Sequence, residues 1–240
     1  MSDKYPGVSP YTYCANNPVK LVDPDGRKVK PFGEDALQMI KNTLKEEDRA
    51  YVKINKRGYI NKRILLSHKS NSLNYNNLKE LVRAKKTIEV HLDECFTYKN
   101  NSGELIREEA SYTSYEDLVK LYESFPEFSI YINKDVEVKE VNGLSTGESG
   151  HTGHTFYPEG DGFYFSYNDN ISVFINARLS DAGAAETYCH EANGHVLLYL
   201  RNGNDVIGAG HDFAGNKDNN RQLVNMILSS RKETINNMNQ

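Results

Sequence analysis

Two histidines five residues apart, His190 and His195, with Glu191 directly after the first, constrain this chain more than any other feature. Imidazole nitrogens hold zinc readily, and a carboxylate beside them can take a proton from water at the metal. Ala182 to Leu200 has a helical pattern, so one helix must bring both imidazoles to one ion. The familiar spacing, H-E-x-x-H, sets its two histidines on one face. His190-Glu191-Ala192-Asn193-Gly194-His195 is one residue longer. At about 100° per residue, a five-residue step leaves the side chains about 140° apart on a regular α-helix, too far to share an ion. The spacing therefore predicts a π-bulge, which absorbs the extra residue and returns both histidines to the same side. Gly194 is expected to supply the backbone freedom this requires.

The flanks fit that arrangement. Ile171 to Asn176 alternates, is rich in β-branched residues and predicts a strand. Ser180 or Asp181 is placed to cap the helix that follows, and Asn202-Gly203 to end it. A strand leading into a zinc-binding helix points to a zincin-like catalytic lobe, where a sheet edge can pair with an extended peptide substrate.

A catalytic zinc takes three protein ligands. His211, in the polar Gly210-His211-Asp212 stretch beyond the helix, is the first candidate for the third. Glu233, on a final helix expected over Arg221 to Asn236, is another; Asp212 can bind the metal or orient His211 by accepting its free N–H. With His190, His195 and His211 on the ion, Glu191 serves as the base for peptide-bond hydrolysis by metal-activated water. His151 and His154 fall in a Gly-, Ser- and Thr-rich stretch from Gly143 to Gly162 that predicts a loop. Either can lie over the cleft and stabilise an oxyanion, or be a plain loop histidine. Cys189 points about 100° away from His190 on a helix and is expected to pack rather than ligate.

The six-residue form H-E-x-x-G-H, glycine included, resembles the zinc motif of the dipeptidyl peptidase III family. At the other end, Tyr5-Pro6-Gly7-Val8-Ser9-Pro10-Tyr11-Thr12-Tyr13-Cys14-Ala15-Asn16-Asn17-Pro18 through Asp23-Pro24-Asp25-Gly26-Arg27 resembles the closing segment of the Rhs-repeat-associated core domain. In that family a β-rich shell ends at this signature and a variable carboxy-terminal domain follows, often a toxin. The resemblance implies an effector domain from about Lys28 onward, delivered to a target cell through a larger parent protein. A protein substrate and a cognate immunity protein are the partners it implies. Phe174 to Tyr199 is similar to the metallopeptidase-type domains attached to Rhs cores in Bacteroidetes-type bacteria, where Tyr or Gly often stands in place of Asn193. Because Rhs tails are often nucleases, a nuclease or a catalytically inactive remnant is the alternative outcome.

Composition narrows these choices. A net charge of -4 in 240 residues, with pI ≈ 6.0, argues against a nucleic-acid-binding face. The cluster Lys53, Lys56, Arg57, Lys62 and Arg63 is then a solvated surface. Three cysteines without a pairing pattern argue against a disulfide framework. No apolar run approaches ~20 residues and no basic-then-apolar stretch stands at its start, so neither a membrane span nor a signal peptide of its own is expected.

Helical and extended patterns interleave, which predicts an α+β fold with an antiparallel sheet ahead of the zinc helix. Helices are expected over Glu34 to Arg49, Leu78 to Ala84 and Tyr115 to Phe125. Strands are expected over Thr87 to Leu92 and Phe128 to Ile132, on either side of Asn100-Asn101-Ser102-Gly103, and as a hairpin around Lys56-Arg57-Gly58. The expected organisation is 1–27 as the end of the core signature, 28–142 as an accessory lobe and 143–240 as the catalytic lobe.

Overall fold

The computed structural model describes residues 29–124, 146–210 and 217–239. In chain order they form β1 (Val29–Pro31), α1 (Glu34–Asn42), α2 (Glu46–Arg49), α3 (Lys62–Ser67), α4 (Leu73–Leu81), β2 (Ile88–Asp93), β3 (Cys95–Asn100), β4 (Leu105–Glu109), β5 (Tyr112–Thr113) and α5 (Tyr115–Ser124). After residue 145 come β6 (Ser149–Gly150), β7 (Gly153–Phe156), β8 (Tyr164–Ser166), β9 (Ile171–Asn176), α6 (Asp181–Tyr188), a π-helix (Cys189–Val196), α7 (Leu197–Arg201), a 3₁₀ turn (Ile207–Ala209) and α8 (Lys217–Met238). The Tyr5 to Arg27 signature and the strand expected over Phe128 to Ile132 lie outside the described residues.

The α+β character stands, but the sheet ahead of the π-helix is mixed rather than antiparallel. Its strand order is β1-β2-β9-β7; β2 runs parallel to both β1 and β9, and only β7 is antiparallel. The cause is the length of chain between strands. Helices α1 to α4 lie between β1 and β2, and such a crossover returns the chain to run in the same direction. All six residues of β9 are buried, because both faces of this central strand are covered. Ile171, Val173 and Ile175 join Val29, Ile88 and Val90 in the main core under the helices. Phe174 faces the other way, into a smaller cluster with Phe96, Tyr98 and Phe156. The antiparallel sheet β4-β3-β8 contributes to that second layer. Strands from both sides of the expected 142/143 boundary thus share one sheet and one main core.

Other expectations shift in detail. The helix over Glu34 to Arg49 divides into α1 and α2, with the Thr43 hydroxyl donating to the Ile40 carbonyl at 2.8 Å where α1 ends. The second helix begins earlier than expected, at Leu73, where the Ser72 hydroxyl accepts from Tyr75 N–H at 3.0 Å. Around Lys56-Arg57-Gly58 only a single bridge forms, Ile54 to Ile60. Beyond it the Asn61 side chain caps α3, so the hairpin's expected second arm is helical. The stretch expected to be a loop from Gly143 to Gly162 contains β6 and β7, because Gly153 to Phe156 pairs with β9. No helix among the described residues is long and apolar enough to cross a membrane.

Glu89 is the buried acid of the aromatic side of the sheet. It accepts from Tyr167 Oη at 2.5 Å, Asn168 Nδ2 at 2.9 Å and Asn170 Nδ2 at 3.1 Å. Burial by itself raises its pKa, but the His91 ring 3.9 Å away and the hydrogen bonds from Tyr167 and Asn168 prevail and bring it from 4.5 down to about 2. A carboxyl lowered by folding stabilises the fold above its unfolded pKa, and that stabilisation fades as pH falls from about 4.5 toward 2. With allowance for solvent screening, Glu89→Gln is expected to cost about 2 kcal/mol at neutral pH. The deficit should shrink toward zero near pH 2. Urea titrations followed by circular dichroism at several pH values check this; a deficit independent of pH would refute the assignment.

Candidate metal centre

The His190–His195 motif is positioned from β9 onward. Asn176 ends that strand, accepting from Arg178 N–H at 3.0 Å and donating from Nδ2 to the carbonyls of Ser111 and His151 at 3.1 and 3.2 Å. The chain then turns into α6, capped by Ser180, whose hydroxyl accepts from Gly183 N–H at 3.2 Å. Glu148 fastens this cap, accepting from Ser180 N–H at 2.7 Å and from the Ser180 hydroxyl at 2.6 Å. Its negative charge also suits a helix amino terminus. At the far end the helix stops after Arg201, and Gly203 takes a positive φ of 72°.

Between α6 and α7 the backbone widens into the predicted π-turn over Cys189–Val196, with His190 and His195 inside it. One ligand atom from each of His190, Glu191 and His195 lies within 4.8 Å of the others, and the two imidazole centroids are 4.9 Å apart. This is the one such cluster of His, Cys, Asp and Glu among the described residues. Gly194 has a different task from the one expected. A Cβ there would lie 2.6 Å from Ile227 Cγ1 and 3.3 Å from Leu223 Cδ1, so glycine allows α8 to approach the π-turn closely.

Asn193 faces the same way. Its Nδ2 donates to Ser230 Oγ at 2.9 Å, and Asn74 Nδ2 donates to the Ser230 carbonyl at 3.1 Å and to Thr234 Oγ1 at 2.9 Å. Cys189 lies in this buried network, 3.0 Å from Thr234 Oγ1, and burial pushes its thiol up to about 11. As expected, Cys189 is packed, and it belongs to no ligand cluster among the described residues.

On the metal side each group is held by a neighbour. The Ala209 carbonyl lies 2.6 Å from His195 Nδ1. A carbonyl only accepts, so Nδ1 carries the proton and the neutral ring presents Nε2 to the site. Burial lowers the His195 pKa, against the opposing effect of the Ala209 carbonyl, and so favours this neutral form. Glu191 is buried and accepts from Thr155 Oγ1 at 2.7 Å, on β7. Gly153, on the same face of β7, lets that strand approach: a Cβ there would lie 2.5 Å from Thr187 Cγ2 and 3.1 Å from Glu191 Cγ. Two imidazoles beside one carboxylate, in a buried setting that favours the neutral form of His195, make a group that could hold a metal ion.

The remaining candidates fall elsewhere. His211 and Asp212 lie outside the described residues. Glu233 stands apart from the cluster, because its carboxylate accepts from the Leu73 and Asn74 N–H groups at 2.8 and 3.3 Å, at the start of α4. Strand alternation turns His154 to the face opposite Thr155, where its ring lies 4.3 Å from Phe156. His151 meets Phe96 edge-on at 4.6 Å. Burial lowers the pKa of both histidines. Thr155 and the Ala209 carbonyl touch the candidate site, and sequence spacing does not reveal either contact. The alternation of β7 is the one signal that could have found Thr155. Comparison with known protein families, curated proteins and solved structures finds no match to this chain.

Gly194→Ala is expected to destabilise the protein by about 1–3 kcal/mol, since the added methyl must displace Ile227 from a packed contact. A chemical denaturation midpoint equal to that of the unmodified protein would show that α8 yields freely at this point.

Proposed function

We propose that this chain is a zinc-dependent peptidase-type hydrolase with a zincin-like catalytic lobe, in which His190, His195 and His211 hold the ion and Glu191 is the general base. The observation that carries this reading is the convergence of His190, Glu191 and His195 within 4.8 Å through a π-turn. When bound, zinc supplies Lewis acidity, which makes water more acidic and polarises a carbonyl. His195 is suited to ligation because its Nδ1 proton is committed to Ala209. Ala209 stands two residues before His211, which supports His211 as the third ligand. Glu191 takes the proton of the attacking water on its carboxylate and passes it to the leaving amine, while Thr155 fixes the orientation of that carboxylate. Strand β7 is an outer strand of its sheet and carries Thr155, so a peptide extended along it would pass the base. The Tyr5 to Arg27 likeness supports a setting as the effector tail of an Rhs-type protein, acting on a protein in the target cell and restrained by a cognate immunity protein.

Metal analysis tests the centre. The purified chain is expected to bind about one zinc per molecule, and His190→Ala or His195→Ala to abolish tight binding. His211→Ala should weaken zinc by about tenfold or more, whereas Glu191→Gln should keep zinc and fold but lose peptide hydrolysis. An unmodified chain that stays metal-free at micromolar zinc would sink the proposal.

Growth assays test the biological setting. The full chain made inside several bacterial hosts is expected to harm at least one of them, and Glu191→Gln at equal expression to be harmless. Equal harm from both proteins would point to an effector chemistry that does not use Glu191.

A further inference from the structure

The outer edge of β7 offers backbone groups that no described residue takes up. Asn176 N–H donates to the Thr152 carbonyl at 2.8 Å, which makes these two residues a hydrogen-bonded pair in the ladder between β7 and β9. In an antiparallel ladder such pairs alternate with unbonded ones, so His154 bonds Phe174 while Gly153 and Thr155 turn their N–H and C=O groups away from β9. No other described strand pairs with β7, so those groups face outward. Thr155 also carries the hydroxyl that meets Glu191 at 2.7 Å, and this edge therefore runs past the candidate site. On the opposite face of β7, His154 meets Tyr164 edge-on, with ring centroids 6.0 Å apart. Tyr164 packs against Tyr98 at 5.1 Å yet is 42 % exposed, and Phe163 beside it is 70 % exposed, the most of any Phe or Tyr among the described residues. These rings stand on a bonded turn. Asp161 Oδ1 accepts from both Phe163 N–H and Tyr164 N–H at 2.8 Å, and Asp161 N–H donates to the Tyr164 carbonyl at 3.1 Å. Exposed rings fixed beside an unpaired strand edge suit a ligand that brings both backbone and an apolar side chain.

We propose that the substrate is an extended peptide with an aromatic side chain, which joins β7 as an antiparallel strand and sets that side chain opposite His154, against Tyr164 and Phe163. Calling the peptide a substrate rests on the hydrolase reading given above. Its residues opposite Gly153 and Thr155 exchange hydrogen bonds with the edge, and the one opposite Thr155 stands on the Glu191 side of the strand. The residue between them turns to the other face, because side chains alternate. The aromatic ring thus fixes the register, and the neighbouring residue is the one presented to Glu191.

The test uses the zinc-loaded full chain carrying Glu191→Gln, so that a bound peptide stays whole. Fluorescence anisotropy follows short labelled peptides of Ala, Ser and Gln in which the central residue is varied. Phe at the centre is expected to bind about tenfold more tightly than Ala, the lower end of what burying such a ring contributes. Phe163→Ala, added to that chain, should weaken the Phe peptide about fivefold and leave the Ala peptide, zinc affinity and melting temperature unchanged. N-methylation of either residue flanking the Phe removes a hydrogen bond to β7 and should weaken binding by about fivefold. Methylating the Phe nitrogen itself, which faces away from β7, should be tolerated. Equal affinity for the Phe and Ala peptides, or a greater loss on methylating Phe than on methylating its neighbours, overturns this inference alone. If the chain takes up no zinc, the same series run on the unmodified protein decides separately. Selectivity for Phe then sustains the peptide site while the hydrolase reading falls, and its absence overturns both.

Discussion

The contact of the π-turn with α8 is the interaction on which the candidate metal centre depends. A five-residue step separates two side chains on an ordinary helix, so something must hold the wider turn in place. Here the holding groups sit on the side away from the metal ligands. Gly194 admits Ile227 and Leu223, while Asn193 donates to Ser230 within the network that also engages Asn74 and Thr234. Glu186 adds a buried ion pair with Arg231, 2.6 Å apart, between α6 and α8. The convergence of His190 and His195 is therefore a product of packing behind them.

Much of this was legible in the sequence because it follows from local arithmetic. The angle between residues five apart demanded a π-turn, and the turn occupies Cys189–Val196. The alternation of Ile171 to Asn176, the cap at Ser180 and the stop at Asn202-Gly203 were readable for the same reason: each depends on neighbours in sequence. Parallel pairing of β2 with β1 and β9 was not readable, since it depends on where long crossovers return the chain. Nor was β7, whose glycine and short polar side chains resemble a loop until the exposed edge of β9 is there to pair with it. Glu233 illustrates the limit for site residues. A carboxylate on a downstream helix is equally suited to a metal and to a helix amino terminus, and only the packing of α8 beside α4 decides between them.

The acids of the fold also divide by what surrounds them. Glu89 is held by three donors and Glu148 by the start of α6, so both serve as anchors. Glu191 lies beside two imidazoles with Thr155 on one of its oxygens, a setting in which a carboxylate can exchange a proton. Residue type alone does not separate these roles; the balance of donors around each carboxylate does.

The buried network behind the π-turn has a kinetic consequence as well. It joins Thr43 and Asn74 from the first half of the chain to Asn193, Ser230 and Thr234 from the second, with links spanning more than 150 residues. The mixed sheet adds pairings of roughly half that reach, as between Ile88 and Ile171. Contacts so distant in sequence form slowly, because the entropy of closing large loops must be overcome before they contribute. On a ribosome the segment with His190 and His195 emerges well before α8, and without α8 the widened turn lacks the packing of Ile227 and Leu223 and the bond to Ser230. Assembly of the candidate site is thereby timed to the arrival of α8.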